Sequence, residues 1–314
     1  MKLFKKFLCL TLVCLMVTCC FTSCDWLPFF GDDKKPDDNN ADDQNNSTDD
    51  ATGDGSQEEE NKWDEDSPRK SKTYEVLFIG NSYTKNGEAI VYNEFKSMAE
   101  SAGYTVNVDY VVKGAYNLEA FANINDEYGK KVDDKLWAKK YDYVILQEQS
   151  HRAITNPASF YKGVRELVEK IRYCGAEPIL YCTWGREHDS TDIEKFGLIS
   201  NEAMTYNLAA AYTAIAEELD VEVVYVGFAH YDIYNNTDIT IYIGDANTHQ
   251  NKTGAYLSAL TLFCDIFNVN VEEVTYEISI PANQIAKLKA AAGKAAFDPP
   301  TIPEEYKTTP TPVN

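Results

Sequence analysis

The feature that most narrows what this chain can fold into is an alternation that sets in at Tyr74. Short apolar runs of strand length, Glu75–Ile79, Tyr143–Leu146, Pro178–Cys182 and Glu222–Val226, are separated by stretches whose apolar residues recur at helical spacing. Thr105–Val112, which alternates apolar and polar residues, adds a fifth strand. A run that is apolar at every position, rather than at every second one, needs cover on both faces. The helical stretches supply that cover. Val91, Phe95, Met98 and Ala102 make one stripe at i, i+4, i+7 and i+11, and Phe160–Arg172, Glu194–Leu219 and Gly254–Phe267 make others. Strands alternating with helices imply an α/β fold in three layers, α/β/α, around a parallel sheet.

The alternation does not extend over all 314 residues. The N-terminus reads Met-Lys-Leu-Phe-Lys-Lys and continues in a largely apolar run from Phe7 to Phe21. A basic start, a short apolar stretch and a small-residue junction describe a secretory signal over 1–24, whereas a spanning helix needs roughly 20 apolar residues. The junction Phe21-Thr22-Ser23-Cys24 resembles a bacterial lipobox, with Phe where Leu is usual, and makes Cys24 the expected site of lipidation and membrane anchoring. Residues 25–70 form an acidic linker with 16 Asp and Glu against 5 Lys and Arg, a net of −11. So polar a segment cannot bury enough surface to offset its ordering entropy, and self-repulsion extends it into a tether. The folded domain is expected over 71–270. After it comes an extension, 271–314, with one Ala/Lys-rich helix over 282–296 and a loose Pro/Thr tail.

The net charge of −21 argues against nucleic acid, because phosphate binding needs a basic face. About half of that charge lies in the linker and says nothing about a site. Five of the eight cysteines fall in the N-terminal segment. The other three, Cys174, Cys182 and Cys264, are widely spaced within or beside apolar runs, which makes buried thiols of them rather than a disulfide framework or metal site.

In an open parallel sheet, ligands gather beyond the carboxyl ends of the strands. Gly80-Asn81-Ser82-Tyr83-Thr84 follows the first strand there. A serine at such a turn can present its hydroxyl to substrate beside backbone N–H groups that would face an oxyanion, or it can simply cap the next helix. Late in the domain, Asp245-Ala-Asn-Thr-His249 leads into Gly254-Ala-Tyr-Leu. A serine hydroxyl is a weak nucleophile until an imidazole accepts its proton, and the imidazole needs a partner to fix its tautomer. His249 on a loop suits that role, with Asp245 or a backbone carbonyl as the orienting group.

Taken in order, Gly80-Asn81-Ser82, Gly114 in Val-Val-Lys-Gly-Ala-Tyr-Asn-Leu, and the late Asp245…His249 resemble the SGNH (GDSL-like) hydrolases, in the branch whose first block reads Gly-Asn-Ser. The likeness runs from Glu75 to Phe267. It implies a flavodoxin-like five-stranded parallel sheet and ester hydrolysis without cofactor or metal. It also implies a catalytic Ser82, His249 and Asp245, and an oxyanion hole built from the N–H groups of Ser82 and Gly114 and a third-block amide. Two departures stand out. The family's Gly-x-Asn-Asp is replaced by Gln147-Glu148-Gln149-Ser150-His151, so the third donor is expected to be Gln149, with Gln147 as the alternative. Asp245 stands four positions before His249, where the family has three. Asn81, Trp184 and Arg186 are expected at the substrate. The expected function is an extracytoplasmic serine esterase acting on an acylated small molecule or glycan, acetyl esters first. The competing expectation is a non-catalytic surface lipoprotein that keeps the fold to bind a glycan or partner.

Overall fold

The computed structural model describes residues 70–312. The signal segment, Cys24 and the linker up to residue 69 lie outside the described residues. Five strands form one parallel sheet: β1 (Thr73–Gly80), β2 (Thr105–Val112), β3 (Tyr143–Leu146), β4 (Glu177–Tyr181) and β5 (Glu222–Val224). Their order across the sheet is β2-β1-β3-β4-β5, so the chain reverses direction between β1 and β3. Ile79 of β1 pairs with Val111 on one side and Leu146 on the other, and Leu146 with Leu180. This is the three-layer parallel arrangement that the alternation implies, with the flavodoxin-like strand order that the family resemblance implies. The interior strand β1 is deeply buried, with Val76, Leu77, Phe78 and Ile79 all at most 1% exposed.

Two helices cover one face: α1 (Val91–Ser101) and α9 (Lys252–Phe267) pack on each other, with α8 (Val226–Asn236) beside α9. The other face carries α2 (Leu118–Ala122), α3 (Glu127–Ala138), α4 (Arg152–Thr155), α5 (Pro157–Tyr173), the short α6 (Asp192–Lys195) and α7 (Asn201–Leu219), with α5 packed against α2 and α7. The long helix expected over 194–219 is broken. Gly197 takes a left-handed φ of +72°, and Ser200 then caps α7 by accepting from the Ala203 N–H at 3.0 Å. A glycine in that conformation ends α6 at no steric cost.

The segment after residue 270 is bound to the same core. Every residue of α9 from Gly254 to Phe267 is buried. A helix apolar all round needs cover on the side away from the sheet. That cover is α10 (Ala282–Phe297), which sets Ile285, Leu288, Ala291, Ala292, Ala295 and Ala296 against α9 and α8. Removing it would expose a run of apolar surface, each large side chain contributing about 1.5–3 kcal/mol on burial. Cys182 and Cys264 are buried free thiols, while Cys174 is only partly covered.

Candidate active site

Three loops converge at the carboxyl edge of the sheet, and backbone pairing sets their spacing. The Lys113 N–H donates to the Gly80 carbonyl at 3.1 Å, and the Gln147 N–H to the Ile79 carbonyl at 2.9 Å. The turn carrying Ser82 therefore sits between the Gly114 loop after β2 and the Gln147–His151 loop after β3. The turn closes on itself through Thr84 and Lys85, whose N–H groups donate to the Asn81 carbonyl at 2.9 and 3.0 Å. Gly80 is required by crowding, since a Cβ there would stand 2.3 Å from the Thr84 hydroxyl and 2.7 Å from the Gln147 side-chain carbonyl.

The His249 loop meets this turn from the far end of the chain. His249 Nε2 lies 2.8 Å from Ser82 Oγ, and His249 Nδ1 lies 2.5 Å from Asp245 Oδ2. The other carboxylate oxygen of Asp245 accepts the His249 backbone N–H at 3.0 Å. The extra residue between Asp245 and His249 is absorbed in a turn: the Thr248 N–H donates to the Asp245 carbonyl at 2.9 Å, and Thr248 itself takes a left-handed φ of +51°. Partial burial pushes the Asp245 carboxyl upward, but the hydrogen bonds from the His249 ring and backbone outweigh it and hold the group below the usual carboxylate range. An ionised Asp245 fixes Nδ1 as the protonated nitrogen and leaves Nε2 free to accept the serine proton. Ser82, His249 and Asp245 are thus one hydrogen-bonded chain.

Neither a protein-family model nor a curated protein matches this sequence. Solved structures do. A protein of Bacteroides uniformis described as a DUF4886 family member aligns over 74% of this chain and 98% of its own, at a TM-score of 0.61 and 20% identity. A protein of Slackia heliotrinireducens assigned to the SGNH hydrolases aligns over 61% of this chain and 98% of its own, at a TM-score of 0.53 and 24% identity. The chain has the SGNH-hydrolase fold. Ser82, Gly114 and Gln149 stand on the loops that follow β1, β2 and β3, three strands adjacent in the sheet, and these loops meet at its carboxyl edge. Among the described residues, the backbone N–H groups of Ser82 and Gly114 donate to no protein acceptor. Gln149 is half-buried, and its side-chain oxygen accepts only a long bond of 3.4 Å from the His151 N–H.

Gln147, the alternative third donor, is placed differently. Its oxygen accepts from the Asn81 N–H and the Thr84 hydroxyl at 2.8 and 2.9 Å, and its nitrogen donates to Asn81 Oδ1 and to the Glu148 carbonyl. Fully buried and fully bonded, it braces the SGNH turn and has no donor left for an oxyanion. Asn81, expected at the substrate, is 1% exposed: Nδ2 donates to the Tyr116 carbonyl at 2.8 Å, and Oδ1 accepts from the Tyr83 N–H at 3.1 Å. Trp184 and Arg186, also expected to line the cleft, lie beneath it at 0% and 1% exposure. The indole is stacked between Tyr83, at 4.3 Å between centroids, and His230, at 4.0 Å. These residues support the site from below instead of touching substrate.

Two contributors were not singled out in the sequence. Tyr83 follows the serine directly and packs edge-on to His249, with centroids 5.7 Å apart. Glu148 accepts the N–H of Leu118 at 3.2 Å and of Gln149 at 2.5 Å, tying the second loop to the third. Burial pushes its carboxyl up to about 7. A carboxylate at the exit of the buried run Tyr143–Leu146 was the available signal, since an acid there has to find donors or lose its charge. Among the described residues, no group of three His, Cys, Asp or Glu side chains could hold a metal ion.

Proposed function

We propose that this protein is a serine esterase that removes O-acyl groups, acetyl first among them, from a glycan outside the cell, to which a lipid at Cys24 and the acidic linker tether it. The observation that carries the reading is the unbroken chain Asp245–His249–Ser82, 2.5 and 2.8 Å per link, at the carboxyl edge of the sheet. Ser82 Oγ attacks the ester carbonyl as His249 Nε2 takes its proton. The negative charge that develops on the carbonyl oxygen is held by the N–H groups of Ser82 and Gly114 and by the Gln149 amide. His249 then gives its proton to the departing sugar hydroxyl, leaving the acyl group on Ser82. Water, deprotonated by the same imidazole, releases the acid and restores the serine.

A glycan suits an esterase held outside the cell, because a polymer cannot enter it. The test is acetate release from a panel of O-acetylated polysaccharides by the full chain, beside a short aryl acetate. Release from at least one polysaccharide, abolished in Ser82→Ala, supports the reading. Turnover of the aryl acetate alone would leave an esterase but remove the glycan.

A further inference from the structure

Arg186 is a buried cation, 1% exposed, that forms no salt bridge within 4 Å among the described residues, and its Nε has no hydrogen-bond partner there. A guanidinium so placed is costly unless its donors are used. Two of them are: Nη1 donates to Tyr83 Oη at 2.7 Å and Nη2 to Ser150 Oγ at 3.0 Å. The first bond has a directional consequence. A phenol oxygen has one proton, and with Arg186 donating to it, that proton is left for the Asn247 carbonyl, 2.6 Å away. Burial raises the Tyr83 phenol against the opposing pull of Arg186, so the proton stays on the oxygen.

Asn247 is two residues before His249, and Thr248 is held as closely. Trp184 Nε1 donates to the Thr248 carbonyl at 3.0 Å, and the Glu187 N–H to the Thr248 hydroxyl at 3.1 Å. Thr248 is β-branched and sits at φ +51°, a conformation that persists only where surrounding contacts impose it. The imidazole is therefore carried by a loop that would relax elsewhere if untied. One of its ties begins on the residue next to the nucleophile.

Resting on the esterase reading, we propose that Tyr83 is a positioning residue whose hydroxyl, aimed by Arg186, links the Ser82 turn to the His249 loop and sets the distance between hydroxyl and imidazole. The link acts through His249 alone, and the reacting atoms never touch it.

Tyr83→Phe tests this. The variant keeps the ring on Trp184 and against His249 and removes only Oη. For an aryl acetate, kcat should fall about 10- to 100-fold with KM within about twofold, the loss expected when a reacting pair is displaced by a fraction of an ångström to an ångström. In a His249→Ala background the same substitution should change nothing, because a tie to an absent base has no effect. A second readout needs no turnover. The His249 Nδ1 proton, in its short bond to Asp245, should give a far-downfield proton resonance in the wild type that Asp245→Asn abolishes and Tyr83→Phe broadens or shifts. Unchanged kcat together with an unchanged resonance overturns the proposal. So does an equal loss of kcat with and without His249, which would mark a general structural role. A wild type with no esterase activity and no labelling by a fluorophosphonate would overturn the esterase reading separately, and the resonance would still decide the tie.

Discussion

Gln147 and Asn81 exchange two hydrogen bonds: the Asn81 backbone N–H donates to Gln147 Oε1 at 2.8 Å, and Gln147 Nε2 donates to Asn81 Oδ1 at 3.0 Å. The exchange locks the loop after β3 to the turn that presents Ser82. Gln147→Ala removes both bonds and strands the Thr84 hydroxyl as well. Each buried group left without a partner costs about 1–3 kcal/mol. The melting temperature should drop by several degrees, and esterase activity should fall with it because Ser82 loses its support. Calorimetry beside kinetics checks this.

Gln149→Ala should behave in the opposite way. The Gln149 side chain makes only a long 3.4 Å bond, and alanine keeps the backbone bonds, so thermal stability should hold nearly constant. Loss of one oxyanion donor lowers kcat by about 10²–10³. A stable variant with unaltered kcat would remove Gln149 from the oxyanion hole.

Glu148 supplies a pH dependence with a definite sign. Its carboxyl titrates near 4.5 when unfolded and at about 7 in the folded protein, raised by burial. Between those values the folded state keeps a proton that the unfolded state has released. Stability contributed by this group therefore falls as pH rises from about 4.5 to about 7, and levels off above. Glu148→Gln is neutral throughout and should flatten that decline. Comparing melting temperatures of both proteins at about pH 5 and about pH 8 measures it.

The fold could be read from the sequence because continuous apolar runs such as Tyr143–Leu146 have few alternatives to a strand covered on both faces. The helix start at Asn201 was harder, since periodicity continues through Glu194–Gly197 and only the backbone at Gly197 breaks it. Ser82, His249 and Asp245 stood out as residue types that work together, and distance in sequence, 167 residues from serine to histidine, was no obstacle. The supporting residues could not be ranked that way. Gln147 and Gln149 are the same side chain two positions apart, and only the fold decides which one turns inward to Asn81. Trp184 and Arg186 follow a strand at the substrate edge, yet the indole is sandwiched between Tyr83 and His230, and α7 packs on Arg186, whose carbonyl accepts from the Asn201 side chain at 2.6 Å. Position after a strand marks the neighbourhood of a site, while burial decides between contact and support.

The anchor is tested apart from the chemistry. Metabolic labelling with an alkyne fatty acid should tag the wild type and leave Cys24→Ala untagged. Equal tagging of both would place the lipid elsewhere.

The central claim is that His249 activates Ser82 as a nucleophile, and covalent capture tests it most directly. Purified, folded protein is treated with a fluorophosphonate, and the adduct is located by peptide mass spectrometry. The account predicts a single adduct on the peptide carrying Ser82, absent in Ser82→Ala and formed far more slowly in His249→Ala. An unlabelled wild type, or an adduct elsewhere in a Ser82→Ala protein that still hydrolyses aryl acetate, would contradict it.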